Sequence, residues 1–69
     1  MKDINYDLIK LLQVKLDTVA RLERSCIKDA EEARCHSLPA LKQILEDEKK
    51  HAEAIAEEIR MRVKANVFN

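Results

Sequence analysis

Along the first half of the chain, apolar residues return every three or four positions: Leu8, Leu12, Leu16, Val19, Cys26, Ala30 and Ala33. That is the spacing of one helical face. Ile9, Leu11, Leu22 and Ile27 widen the stripe, and a wide stripe predicts more than one neighbour. Asp3 or Asn5 stands where a helix start would be capped. The pattern breaks at Cys35-His36-Ser37-Leu38-Pro39. Proline suits a helix's first turn and not its interior, and Ser37 is a natural N-cap. A second stripe follows, with Leu41, Ile44, Leu45, Ala52, Ile55, Ile59 and Val63 opposite Glu46, Lys49, Lys50, Glu53, Glu57 and Arg60. The pattern predicts an all-α chain with a single domain over residues 1–69: a helix at about 4–34, a turn at 35–38 and a helix at 39–65, folded as an antiparallel hairpin.

A turn near Cys35 and His36 fixes which residues share a level, because the numbers of facing residues then sum to about 71. Leu8 faces Val63, Leu12 faces Ile59, Leu16 faces Ile55, Cys26 faces Leu45 and Ala30 faces Leu41. These layers are apolar on both sides. One is not: Glu23 faces Glu48, each on the stripe of its own arm. One turn on, His51 faces Ala20, which leaves room for an imidazole. A buried ionised carboxylate is costly unless it is paired, and two facing carboxylates repel. The pattern puts no Lys or Arg in that layer on the inner face, the nearest being Arg62. A metal would resolve the conflict.

Composition narrows the class. Sixty-nine residues with no Gly, one Pro and 38% charged residues favour long helices over strands. A chain this short buries little and gains from a metal or a partner. Formal net charge is zero, which argues against nucleic acid as a partner. Arg60, Arg62 and Lys64 complement the dipole at a helix C-terminus. Asp3, Asp7, Lys10 and Lys15 interrupt any secretory apolar run, and no stretch reaches membrane-span length. Cys26 and Cys35 lie on opposite faces of one helix, roughly 13 Å apart along its axis, so they cannot bridge within the chain. Free thiols point to the cytoplasm. No phosphate-cradling loop or nucleophile elbow is present.

Glu on one helix with Glu-x-x-His on the next resembles the repeating half of the ferritin-like di-iron carboxylate proteins. With Glu23, Glu48 and His51 this chain supplies one such half. The segment Ile44-Leu45-Glu46-Asp47-Glu48-Lys49-Lys50-His51-Ala52 is similar in character to the second helix of the two-helix encapsulated-ferritin group. The resemblance spans roughly Leu16 to Ile59 and departs from the group in three respects. The span between Glu23 and Glu48 is shorter, aromatics near the site are lacking, and no targeting tail follows Phe68.

The resemblance implies a homodimer, or a ring of dimers, closing a ferritin-like four-helix bundle, with a capsid-like shell as a further partner. It implies a di-iron ferroxidase-type centre across the dimer interface, one iron per chain, held by Glu23, Glu48 and His51 and oxidising Fe(II) with O2. Mn or Zn would also suit such mixed ligands. Asp47 is the expected acceptor for the second ring nitrogen of His51. Cys26 is expected in the core. The alternative is a metal-free structural or regulatory hairpin that dimerises or docks on a partner's helices.

Overall fold

The computed structural model describes residues 3–68. It is all-helical, and among the described residues there is no strand. Helix α1 spans Asp3–Arg21, a single π turn spans Leu22–Cys26, α2 spans Ile27–Glu32 and α3 spans Leu38–Lys64. The first three form one arm and α3 the other, giving a rod 49 Å long and 13–15 Å across. No helix among the described residues is long and apolar enough to cross a membrane.

The π turn was not expected from the periodicity. There the N–H of Ile27 donates to the carbonyl of Leu22, five residues back. The wider turn shifts every later side chain around the arm. It lets Leu22 and Ala30 both face inward, at 6% and 7% exposure, although an unbroken α-helix would set residues eight apart about 80° apart.

Both arms end the same way, without glycine. At the first, Cys35 N–H donates to Ala30 O and Arg34 N–H to Glu31 O, at 2.9 and 3.1 Å. At the second, Val67 N–H donates to Arg62 O and Asn66 N–H to Val63 O, each at 3.0 Å. This is the Schellman pattern, which needs a left-handed residue just past the helix. Arg34 and Asn66 fill those places, with φ of 52° and 59°. Asn tolerates that region and Arg does so at a cost of about 1–2 kcal/mol. Arg34→Gly should therefore raise stability by about 0.5–1 kcal/mol, part of the relief being offset by glycine's freer unfolded chain. A urea titration reads the gain.

Ser37 occupies the N-cap position of α3, with Pro39 just inside. Its carbonyl accepts the N–H of Leu41, but its side chain makes no capping bond and lies 3.0 Å from the Cys35 sulfur. Cys26 and Cys35 are both free thiols. Asn5 is not a cap. It is fully buried, donating from Nδ2 to the Val67 carbonyl at 3.0 Å and accepting from Arg62 Nε at 2.6 Å. The start of α1 is thereby fastened to the end of α3.

The core is thin. Among the described residues only Leu22, Ala30 and Ala52 are buried apolar side chains. Ile4, Tyr6, Ile9, Leu11, Val14, Leu16, Ile44, Met61 and Val63 are all exposed. A two-helix hairpin has one inner line, and these stripes are wider than one line can cover.

Candidate functional site

Glu48 and His51 come together because residues three apart share a helical face. His51 Nδ1 lies 3.3 Å from Glu48 Oε1. The third group there comes from α1 and was not foreseen. Lys15 Nζ donates to Glu48 Oε1 at 3.1 Å and lies 3.5 Å from His51 Nδ1. The expectation that no cation reaches Glu48 is therefore corrected. Lys15 starts at the edge of the stripe, and its long stem carries the ammonium inward along apolar surface. Glu48 keeps only 15% of its side chain exposed, against 26% for Lys15 and 55% for His51.

The hydrogen bond from Lys15 holds the Glu48 carboxyl below its ordinary value of 4.5. Partial burial opposes this, while the charge of Lys15 and the contact with His51 add to it. A depressed folded-state pKa contributes stability above the unfolded value and loses it as pH falls through the folded one. The protein should therefore lose stability on acidification below about pH 4.5. Glu48→Gln should show a flatter melting temperature over the same range, and equal slopes for the two proteins would contradict the assignment.

Glu23 stands apart from this group. It lies in the π turn, and its side chain, expected on the inner stripe, is half exposed. Its carboxylate pairs with Lys49 Nζ at 3.4 Å, so a second cation comes from the residue next to Glu48. Neighbouring residues point about 100° apart on a helix, so Lys49 and Glu48 serve different flanks. The pair Glu23–Lys49 has a structural reading. Ile9, Leu12, Leu16, Val19, Glu23 and Cys26 alternate steps of three and four on the first arm. Leu45, Lys49, Ala52, Ala56, Ile59 and Val63 do so on α3. These are heptad seams, each with one charged residue among apolar or small ones, and the two charged residues meet. A polar pair at such positions fixes register.

Asp47 does not support His51. Its Oδ1 accepts from Gln43 Nε2 at 3.0 Å. Along α3, Arg60 bonds both Glu53 and Glu57, which offsets their mutual repulsion.

The donor chemistry can be tested against iron. Glu48 and His51 are close enough to chelate one ion, whereas among the described residues of one chain no three His, Cys, Asp or Glu side chains cluster as metal ligands. A complete set therefore needs a second copy, with Lys15 moved off Glu48 and Lys49 off Glu23.

Beside a hollow of about 270 Å³ on the Lys49 flank stand Leu12, Leu16, Val19, Ala52, Glu53 and Ala56. The wide stripe was the signal for it in the sequence. No family model, no curated protein and no solved structure matches the chain.

Proposed function

We propose that this chain is a helical association module, a hairpin that acts by closing with a second copy into a four-helix bundle. The observation that carries this is the ratio of faces. Nine large apolar side chains are exposed on a rod whose buried apolar set, among the described residues, is one Leu and two Ala. Exposed Leu16 beside the apolar groove of Leu12, Val19, Ala52 and Ala56 makes a patch of the kind that marks an interaction site, and a chain this short needs added burial to be stable. The polar groups agree, since Glu23 and Glu48 already have cations from their own chain and do not require a metal for charge balance. Sedimentation equilibrium in the presence of a chelator tests the reading. A mass of twice the chain's 8.0 kDa supports it.

A second reading also pairs two copies, through the face that carries Glu48 and His51, and adds iron. It is favoured by the Glu48–His51 contact and by the position of Glu23 in a π turn, a feature frequent at functional sites. In this reading Glu23, Glu48 and His51 of two copies hold two metal ions. Iron held there would supply ferroxidase-type chemistry, the oxidation of Fe(II) by O2. Lys15 would hold the Glu48 carboxylate ionised, and Lys15 and Lys49 would keep the two carboxylates in place until metal displaces them. Anaerobic Fe(II) titration decides it. Binding of about one iron per chain that is lost in Glu48→Ala supports the centre. Binding no greater than that of Glu48→Ala removes it and leaves the association module standing.

A further inference from the structure

We infer that the hollow on the Lys49 flank is the seat of the second copy, with Leu16 of each chain entering the other's groove over Ala52 and Ala56. This rests on the association reading and names the face that carries it.

The groove is built for a helix. Its lining follows the two heptad seams, Leu12, Leu16 and Val19 from α1 and Ala52 and Ala56 from α3. The α3 side is small. Ala52, only 6% exposed, and Ala56 leave the depth that makes the hollow. The α1 side is large, and Leu16 is 51% exposed at its edge. Large residues on one side and a small-residue floor on the other give a knob and a hole on the same surface. A two-fold interface needs that self-complementarity.

The charges point to the same occupant. Two charged residues line the groove, Lys49 and Glu53, of opposite sign and one turn apart. Lys49 already pairs with Glu23, and Glu53 with Arg60, within the chain, so the groove's charges are balanced without a charged partner. The rim carries no excess of one sign to recruit a nucleic acid, an anionic membrane or an acidic peptide. Size agrees as well. A face 49 Å by 15 Å has a footprint on the order of 700 Å², near the roughly 800 Å² per partner of a stable interface.

The test uses the full chain with a chelator present. Leu16→Glu places a charge in the groove. Leu11→Glu places one about 140° around the same helix, on an exposed residue outside the groove lining. Sedimentation equilibrium should show a wild-type dimer, a dissociation constant raised at least about 100-fold in Leu16→Glu, and a change within about threefold in Leu11→Glu. A dimer that survives Leu16→Glu and fails in Leu11→Glu would overturn the face and leave the association reading intact. A monomeric wild type would overturn both.

Should the charged variants unfold, single-cysteine labelling keeps the inference testable. With Cys26 and Cys35 changed to Ser, the maleimide labelling rate of Leu16→Cys should fall as protein concentration rises. That of Leu11→Cys should stay constant. The reverse pattern would place the interface on the other flank.

Discussion

Leu22→Ala should destabilise the protein by about 2–5 kcal/mol, the usual range for a large-to-small change in a core. Leu22 is the one large apolar side chain among the buried residues described. The other two, Ala30 and Ala52, have no bulk with which to fill the void. Leu22 also opens the π turn, and its carbonyl holds the N–H of Ile27. A void at that point removes the packing that keeps the wider turn in place. Chains of this size have about 3–10 kcal/mol of stability in all, so the variant should be largely unfolded at 37 °C. Leu11→Ala is the control, because Leu11 is 46% exposed. Urea titrations at one protein concentration would compare the two. Equal midpoints would mean that Leu22 is not the centre of the fold.

Asn5→Ala should have the second-largest effect, a loss of about 1–3 kcal/mol. Asn5 is the fully buried polar residue of the described chain, and it joins both ends of the rod. Its loss removes one partner from the Arg62 guanidinium and one from the Val67 carbonyl. Buried groups stripped of a hydrogen bond lose more than the bond itself contributed. The effect should be local in kinetics even where it is global in stability. In hydrogen exchange, amides near Asn5 and Val67 should lose protection before those near Ala30 and Leu41. Asn5→Asp keeps an acceptor for Arg62 and gives up the donor to Val67, so it should fall between alanine and wild type. An Asn5→Ala protein with unchanged exchange at both ends would contradict the clasp.

The two arms were legible because the signals agree. Apolar residues recur at helical spacing on both sides of one break, and that break carries Pro39 in the first turn of α3. The π turn was not legible, since a five-residue step leaves no propensity mark and only displaces the faces that follow it. Arg34 in the left-handed region was hidden for a related reason, because an arginine carries no signal for that conformation.

In the candidate site, the nearness of Glu48 and His51 follows from their three-residue spacing and needs no tertiary knowledge. The cations do not follow from spacing. Lys49 reads as part of the charged face opposite the stripe and Lys15 as a break in an apolar run, yet each side chain is long enough to bring its ammonium to a carboxylate on the other arm. A helical-wheel argument places Cβ atoms, while ion pairs are made several bonds further out. The carboxylates on the apolar stripes thus have a structural answer within one chain, each paired with a lysine from the other arm.

We propose that a second copy closes the exposed apolar face. Sedimentation equilibrium of the unmodified chain with a chelator present, over a wide concentration range, tests it most directly. The expected result is a reversible dimer of twice the 8.0 kDa chain mass, with helicity that falls as the dimer dissociates on dilution. A fully helical species that stays at 8.0 kDa at every concentration would contradict it.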